Sequence, residues 1–324
     1  MSELVSFSRV VDILKNAESI AITSHIHPDG DAIGSSLAMF HALQSLGKSA
    51  RILINDDVPD CFSILEGAQS IERNSELKFD LVLLLDTRIN RSGGICEKIN
   101  APILNIDHHV SNDRKADWLL LEPTVSSTCE IVFKLFVDQK IPVTSDIAMC
   151  LYTGIATDTG FFRFSNTTHS AMSICAELIR LGAKPELIAD SISTKTFREL
   201  QLMTNAMRTI ELFFDGRAIG IFLDRELSEL VLTDELIDMI RFTEGVDIAF
   251  LLRYEYPNAY RLRMRSRRTD ITKITEQLGG GGHKHAAGAT IHGSLDEVKR
   301  IVLNAVADEL QSKYITSSRR KPYS

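Results

Sequence analysis

The sequence predicts an α/β protein with two domains, a larger one built on a mainly parallel β-sheet and a second, smaller α/β domain. The chain of 324 residues is longer than one hydrophobic core usually organises. In the first half of the chain, short apolar runs typical of strands alternate with segments of helical periodicity. A polar helical stretch separates this half from a second group of strand and helix patterns. We expect domains at 1–183 and 213–313, a linker helix at 184–212 and a tail at 314–324.

The first domain begins with a predicted strand at 19–24 and a helix whose apolar residues recur at three- and four-residue spacing. These residues are Ile33, Leu37, Phe40, Leu43 and Leu46. Further strands are predicted at 51–55, 81–85 and 102–106, and further helices at 126–138, 145–156 and 170–181. The last two strands are apolar on both faces, which is typical of interior strands in a parallel sheet.

The second domain mixes strands and helices within a shorter span. Strands are predicted at 217–223, 248–254, 260–266 and 289–292, and helices at 234–243, 271–278 and 295–313. The terminal segment 317–324 is polar and basic, and we expect it to be disordered.

Composition argues against several classes of protein. A formal net charge of −7 disfavours a protein that coats long nucleic acid, because such binding needs a broad excess of Lys and Arg. The five cysteines include no CxxC pair, which argues against a disulfide framework or a zinc clip. We find neither a secretory signal nor the ~18 uncharged apolar residues that span a bilayer. A cytoplasmic protein without a membrane partner is expected.

Acidic residues and histidines follow three of the predicted strands. They are His25, Asp29 and Asp31 after the first strand, Asp86 after the strand at 81–85, and Asp107, His108 and His109 after the strand at 102–106. Asp158 adds a fourth contribution at the end of an apolar helical stretch. Because parallel strands present their carboxyl ends at one edge of the sheet, where ligands bind, we expect these side chains to meet.

Bound divalent cations are the simplest explanation for such a cluster. Taken alone, the segment Pro28-Asp29-Gly30-Asp31 is also typical of a turn that caps a helix. Several unpaired carboxylates beside buried strands, however, require compensating charge. Carboxylate and imidazole ligands without thiolate favour Mn²⁺, with Mg²⁺ as the alternative. Six candidate ligands predict two ions: His25, Asp29, Asp31, Asp86, His108 and Asp158.

A basic segment in the second domain predicts phosphate binding. Strand alternation at 260–268 places Arg261, Arg263, Arg265 and Arg267 on one face, although a solvated edge strand is an alternative for any one of them. A glycine run follows at 279–282, and glycine allows backbone N–H groups to approach a phosphate closely. The candidate substrate-binding residues are Arg263, Arg265, Ser266, Arg267, Gly281, Gly282 and His283.

These motifs, in this order, resemble the DHH family of phosphoesterases. The resemblance lies in His25-x-x-Pro28-Asp29-x-Asp31, Asp86, Asp107-His108-His109 and Asp158, and then in Gly280-Gly281-Gly282-His283-x-x-Ala286-x-Gly288. The last motif is similar to the signature of the DHH-associated substrate domain, so the resemblance covers nearly the whole chain. It is strongest to bacterial nanoRNases, or oligoribonucleases, many of which also act as phosphatases on 3′-phosphoadenosine 5′-phosphate (PAP).

The resemblance implies roles for individual residues. One ion would be held by His25, Asp29 and Asp86, and the other by Asp31, Asp86, His108 and Asp158, so that Asp86 bridges. His109 would face the scissile phosphate, with Asp107 supporting the imidazoles.

The implied activity is hydrolysis of short oligoribonucleotides to mononucleotides, together with removal of the 3′-phosphate of PAP. An activated water would attack phosphorus in line, without a covalent enzyme intermediate. A cyclic di-AMP or pApA phosphodiesterase is the alternative. A nucleotide-binding regulator without catalysis would be expected to lack metal ligands, and a pyrophosphatase would not cleave diesters. Short RNA or small nucleotides are the expected partners, and a homodimer is one alternative for the oligomeric state.

Overall fold

The computed structural model describes residues 2–229, 233–255 and 257–317. The chain divides into two compact units, Met1–Thr194 and Lys195–Ser324. Each unit contains helices packed on its own β-sheet, and each sheet has its own hydrophobic core. The predicted α/β class is therefore confirmed. No helix in the described ranges is long and apolar enough to cross a membrane.

The first unit is built on a seven-stranded sheet that is parallel throughout. Its strands are β1 (Glu3–Leu4), β2 (Ser19–Thr23), β3 (Ser49–Leu53), β4 (Ile71–Glu72), β5 (Leu81–Leu85), β6 (Ile103–Asp107) and β7 (Trp118–Leu121). They lie in the order β1-β7-β6-β5-β2-β3-β4. From β2 the strand order continues through β3 to β4, and from β5 it continues through β6 to β7 and β1. The direction in which strands are added therefore reverses between the neighbours β2 and β5.

Seven helices accompany this sheet: α1 (Phe7–Asn16), α2 (Gly30–Ser45), α3 (Ile95–Lys98), α4 (Thr128–Asp138), α5 (Ser145–Asp158), α6 (His169–Arg180) and α7 (Pro185–Ser193). Alternate residues of β5 enter two different cores. Leu81, Leu83 and Leu85 join the larger core with α1, α2, α4 and α5, while Val82 and Leu84 join the smaller core with α3. Burial on both faces explains why this strand is apolar without interruption.

The second unit has a mixed six-stranded sheet. Its strands are β8 (Glu211–Phe213), β9 (Ala218–Leu223), β10 (Ile248–Glu255), β11 (Ala259–Ser266), β12 (Gly281–His283) and β13 (Ala286–His292), in the order β12-β13-β11-β10-β9-β8. Its helices are α8 (Phe197–Met207), α9 (Thr233–Arg241), α10 (Thr272–Gln277) and α11 (Leu295–Ser317). Among the strands described for this unit, only β9 and β10 pair in parallel.

The stretch 184–212, predicted to be one linker helix, contains two helices that belong to different units. The first helix, α7, ends before Thr194. The second, α8, starts at a capping box in which the side chains of Thr196 and Glu199 each bond the other residue's backbone N–H. Such a cap begins a new helix, and it explains the break. At the other end α11 continues to Ser317, four residues into the predicted tail, and 318–324 lie outside the described residues.

A buried glutamate ties α4 to α6 in the first unit. Glu130 is fully buried, and its carboxylate accepts hydrogen bonds from Ser126 N–H and Oγ, from Lys134 Nζ and from Ser170 Oγ, at 2.6 to 2.9 Å. Burial alone would raise the pKa of Glu130, but the bonds from Lys134, Ser170 and Ser126 together hold it below its ordinary value. The charged form is therefore the stable one in the fold.

Replacing Glu130 by glutamine is expected to lower the free energy of unfolding by about 2–4 kcal/mol at pH 7, because buried donors lose a charged acceptor. Since the folded-state pKa is depressed, this contribution is present above the unfolded pKa and disappears as the pH falls through the folded value. Denaturant unfolding at several pH values measures it. The control is Glu177→Gln, which removes an exposed partner of Arg180 on α6 and should leave the free energy of unfolding almost unchanged. Equal costs in the two variants would contradict the prediction.

Candidate metal centre and phosphate site

The acidic and histidine residues converge at the carboxyl edge of the first sheet. The loops that follow β2, β5 and β6 all leave from this edge, beside the point where the strand order reverses. Open α/β sheets bind ligands at such a position because the loops diverge and leave a crevice. The start of α2 and the end of α5 supply the remaining carboxylates. The convergence predicted from the sequence is thus present in the fold.

The first group of side chains is centred on His25. Its Nε2 atom lies 3.7 Å from Asp29 Oδ1 and 3.6 Å from Asp86 Oδ2. Asp29 also caps α2, because Oδ1 accepts hydrogen bonds from the N–H groups of Asp31 and Ala32. The capping role considered from the sequence is therefore real, and the same carboxylate still reaches the histidine.

The second group is centred on His108. Its Nε2 atom lies 3.5 Å from Asp86 Oδ1, 3.6 Å from Asp158 Oδ2 and 4.0 Å from Asp31 Oδ2. Asp86 thus turns one carboxylate oxygen toward His25 and the other toward His108. A carboxylate that is shared by two neighbouring metal ions likewise directs one oxygen toward each ion's other ligands.

Asp86 is held in a strained conformation at the end of β5. Its φ angle is 60°, in the left-handed region that a non-glycine residue adopts only at a cost. The backbone N–H donates to Ile106 O at 3.0 Å, and Thr128 Oγ1 donates to Asp86 Oδ1 at 3.0 Å. Backbone strain of this kind clusters at functional sites, where the surrounding structure fixes a side chain in a required direction.

Asp31 is held by the N-terminus of α4. The N–H groups of Thr128 and Cys129 donate to its two carboxylate oxygens at 2.6 and 2.8 Å. The positive end of a helix dipole favours a carboxylate there. Sequence reasoning missed this support from Thr128, although the polar run before α4 is a typical helix start.

A close helix contact keeps Asp31 in place from the other side. Gly154 on α5 faces α2, and a Cβ atom at this position would lie 2.8 Å from Asp31 Oδ1 and 2.2 Å from Cys129 Sγ. Such distances leave no space for any side chain. Glycine is therefore required for α5 to approach both α2 and the start of α4.

Burial and mutual attraction shift the pKa values of the cluster. Burial disfavours the charged form of His25, but its bonds to Asp29 and Asp86 raise its pKa to about 10. His108 is likewise raised to about 10 against burial, chiefly by Asp86. Asp86 is also buried, yet the two histidines hold its pKa well below the ordinary range.

The other carboxylates are shifted the opposite way. Burial raises the pKa of Asp158 to about 7, where repulsion from Asp86 opposes the attraction of His108. Burial and the charge of Asp86 also raise the pKa of Asp31 well above its usual range. Without further positive charge, these acids favour protonation.

A divalent cation fits these residues. Asp158 Oδ2 is buried and has no hydrogen-bond partner among the described residues. The nitrogen-to-oxygen distances of 3.5 to 4.0 Å are longer than good hydrogen bonds. They suit ligand atoms that surround an ion at about 2.1 Å. The groups whose ligand atoms lie within 4.8 Å of one another are His25, Asp29 and Asp86; Asp31, His108 and Asp158; and Asp86, His108 and His109.

Asp107 lies outside these groups and instead orients His109. It is fully buried, and it accepts hydrogen bonds from His109 N–H, from His109 Nδ1 at 2.8 Å and from Asn112 Nδ2 at 2.6 Å. The bond to Asp107, against burial, raises the pKa of His109. Because Nδ1 is occupied, Nε2 is the ring atom of His109 available to a ligand, and the side chain is 41% exposed.

In the second unit, arginines and glycines line one open cavity. Arg261, Arg263 and Arg265 share a face of β11 and border about 230 Å³ together with Gly281 and Gly282. Leu262 and Met264, on the opposite face, are fully buried, as the alternation predicted. Arg261 belongs to this set although it was not among the predicted substrate residues.

Three of the predicted substrate residues lie elsewhere. β11 ends at Ser266, whose Oγ is bonded to Thr269 O and His285 Nδ1 inside the unit. Arg267 therefore leaves the strand and lines a different cavity, with Arg217 and Arg268. His283 is exposed at the end of β12 and is not among the lining residues of the arginine-glycine cavity.

Comparisons with known protein families cover most of the chain. Residues 19–155 match the model of the DHH family, N-terminal domain. Residues 231–312 match the model of the DHHA1 domain. The first match contains every residue of the candidate metal centre except Asp158, and the second contains the arginine and glycine motifs.

Individual relatives extend along nearly the whole chain. A Thermus thermophilus protein named bifunctional oligoribonuclease and PAP phosphatase NrnA is 33% identical over 307 residues, or 93% of each chain. A Bacillus subtilis protein of the same name is 26% identical over 294 residues, covering 88% of this chain and 93% of its own. The crystal structure of an exopolyphosphatase-related protein from Bacteroides fragilis is 25% identical, with a TM-score of 0.85, and covers 93% of this chain and 95% of its own. The chain therefore belongs to the DHH family, a family of metal-dependent phosphoesterases.

Proposed function

We propose that this protein is a two-metal phosphoesterase that hydrolyses short oligoribonucleotides to mononucleotides and removes the 3′-phosphate of PAP. The observation that carries the proposal is the position of Asp86, whose two oxygens face His25 and His108 separately. The names of the relatives support this substrate class. The five cysteines are all free, which supports a location in the reducing cytoplasm.

The ligand assignment follows the two groups around the histidines. His25, Asp29 and Asp86 would hold one ion, and Asp31, Asp86, His108 and Asp158 the other. Nitrogen and oxygen donors without thiolate favour Mn²⁺, with Mg²⁺ as the alternative. When bound, the ions supply positive charge that activates water and stabilises the negative charge developing on phosphoryl oxygens.

His109 is proposed to act on the substrate directly. Asp107 holds the ring through Nδ1 and raises the pKa of His109, which favours the protonated ring; in that form Nε2 would be a hydrogen-bond donor. An imidazolium donor stabilises charge on a phosphoryl oxygen as the bond to the leaving group breaks. Asp107 acts only through His109 and is therefore a positioning residue.

The arginine-glycine cavity of the second unit is proposed to bind a phosphate-bearing part of the substrate. Arg263 and Arg265 supply charge, and Gly281 and Gly282 border the same space. Gly282 has a φ angle of 146°, and a Cβ atom there would lie 2.5 Å from Ala287 Cα. A glycine is therefore required for this backbone to lie against β13.

Replacing Arg265 by alanine is expected to raise KM for a short RNA about tenfold or more, with little change in kcat, because the guanidinium binds ground and transition states alike. Steady-state kinetics with manganese measures both constants. The control is Arg300→Ala, an exposed arginine on α11, which should leave KM unchanged. An unaltered KM in Arg265→Ala would remove the cavity from the substrate-binding proposal.

A substrate panel tests the proposed function. An RNA dinucleotide, PAP, cyclic di-AMP, pApA and pyrophosphate are compared in manganese, magnesium and chelator. Manganese-dependent release of mononucleotides from the dinucleotide, and of AMP from PAP, is the expected result. A preference for cyclic di-AMP or pApA would change the substrate and retain the site. Inactivity on every substrate, with metal bound, would refute the proposed enzymatic activity and favour a nucleotide-binding regulator.

A further inference from the structure

Two arginines lie beside the candidate metal centre without a role in metal binding. Arg88 and Arg91 follow Asp86 in the loop after β5. This loop borders a small depression on the first unit. The other residues that line it include His109, Asp107, Ser111 and Asn112. The arginines thus share one depression with the residue proposed to face the scissile phosphate.

The backbone around these arginines is fixed. Arg91 O accepts a hydrogen bond from Ile26 N–H at 3.0 Å, and Gly93 O accepts one from Asn55 Nδ2 at 2.9 Å. The guanidinium of Arg88 donates to Ser111 O at 3.3 Å, which ties this loop to the segment after His109. These hydrogen bonds hold the loop backbone and the Arg88 side chain in place before a ligand binds.

The depression carries excess positive charge. The guanidinium of Arg91 makes no hydrogen bond or ion pair within the described ranges of the chain, and its side chain is exposed. Asp107 is the only acid among the residues that line the depression, and its oxygens are already bonded to His109 and Asn112. An anion is the ligand that such a surface favours.

The space is small. Its volume is about 40 Å³, and a water molecule occupies about 30 Å³ of the liquid. A depression of this size suits a small charged group such as one phosphoryl group. The bidentate geometry of a guanidinium also matches the oxygens of a phosphate.

The substrates of the proposed function share one chemical unit that needs such a site. In PAP and in a 5′-phosphorylated dinucleotide, the phosphate to be cleaved is attached to the 3′-oxygen of a nucleoside that carries a 5′-phosphate. The two phosphates are one ribose apart. A site that binds this second phosphate would place the reacting phosphate in the same way in both reactions.

We propose that Arg88 and Arg91 bind the non-reacting 5′-phosphate of the nucleoside whose 3′-phosphoryl bond is cleaved. This inference rests on the proposed function and adds a specificity site in the first unit. In an oligoribonucleotide longer than a dinucleotide, the arginine-glycine cavity of the second unit would bind a further phosphate of the RNA.

Two matched pairs of substrates test the inference: pApA with ApA, and PAP with 3′-AMP. The members of each pair differ only in the 5′-phosphate. Wild-type kcat/KM is expected to favour the phosphorylated member. Arg88→Ala/Arg91→Ala should lower kcat/KM for pApA and PAP about 10- to 100-fold, and for ApA and 3′-AMP less than about threefold. Arg91→Ala alone should act in the same direction, and Arg91→Lys should retain part of the preference.

The controls separate this site from the second unit. Arg265→Ala should leave the ratio within each pair unchanged, and Arg180→Ala on α6 should leave all four rates unchanged. Loss of the ratio in Arg265→Ala, with retention in Arg88→Ala/Arg91→Ala, would overturn the inference. So would a wild-type enzyme that turns over both members of each pair equally.

Binding provides the same test without turnover. In an Asp86→Asn background, affinities for pApA and ApA are compared with and without Arg88→Ala/Arg91→Ala. A selective loss for pApA supports the inference, and equal affinities throughout contradict it. Failure of the proposed function would instead appear as a wild-type protein that hydrolyses none of the four compounds.

Discussion

Replacing Asp86 by asparagine is expected to lower kcat/KM by about 10³-fold or more on every substrate, because one change removes a ligand from both proposed ions. Its two oxygens lie 3.6 Å from His25 Nε2 and 3.5 Å from His108 Nε2, so neither group stays complete without it. Initial rates in saturating manganese measure the effect. Circular dichroism in chelator should show that the variant remains folded.

The control for this prediction is Asp56→Asn. Asp56 lies in the loop after β3, where it accepts a hydrogen bond from His27 N–H, and it belongs to none of the candidate cation groups. Its rate should stay within about threefold of wild type, because Asp56 contributes no ligand to either proposed ion. Near-normal turnover of Asp86→Asn in manganese would exclude Asp86 as a bridging ligand.

Replacing Asp158 by asparagine is expected to change stability in opposite directions with and without metal. In chelator, the variant should be about 1–2 kcal/mol more stable, because wild type buries, near Asp86, a carboxylate oxygen that accepts no hydrogen bond from the described residues. In manganese, wild type should gain about 2.7 kcal/mol at a hundredfold excess of metal over Kd, and the variant much less. Thermal unfolding of the first unit under both conditions measures the difference.

The pH dependence of this effect has a defined sign. The pKa of Asp158 is raised to about 7, so the folded state binds a proton that the unfolded state releases near pH 4. The penalty in wild type is thus complete above the folded pKa and absent below the unfolded one. The advantage of Asp158→Asn in chelator should shrink as the pH falls from about 8 to about 5.

Asp190→Asn, an exposed change on α7, serves as the control and should shift stability equally in chelator and in manganese. Two results would refute the assignment of Asp158. One is a variant that manganese stabilises as much as wild type. The other is a loss of stability that is the same in both conditions.

Patterns along the chain were sufficient to predict the core of the first sheet. The strand predicted at 81–85 is observed as Leu81–Leu85, and the strand predicted at 102–106 as Ile103–Asp107. Long apolar runs can be buried on both faces only inside a sheet, so their position was predictable. The short strands β1 and β7 were not predicted, because two to four residues carry too little periodicity.

The second unit shows where local patterns were insufficient. Arg267 was placed on one face with Arg261, Arg263 and Arg265 by extending strand alternation to residue 267. The strand ends at Ser266, and Arg267 N–H bonds to Asp247 O, in the loop before β10. No strand was predicted at the glycine run, and part of it is the edge strand β12. Its pairing with β13, a partner that local sequence does not specify, decides this conformation.

The sequence by itself determined the α/β class, the ordered motifs and the residues that meet at the carboxyl edge of the first sheet. It could do so because strand ends and residue chemistry are local properties. Only the tertiary structure decided that Asp86 turns one oxygen to each histidine, that the start of α4 holds Asp31, and that Arg88 and Arg91 lie beside His109. These relations depend on side-chain direction and on the packing of segments distant in sequence, which no local pattern encodes.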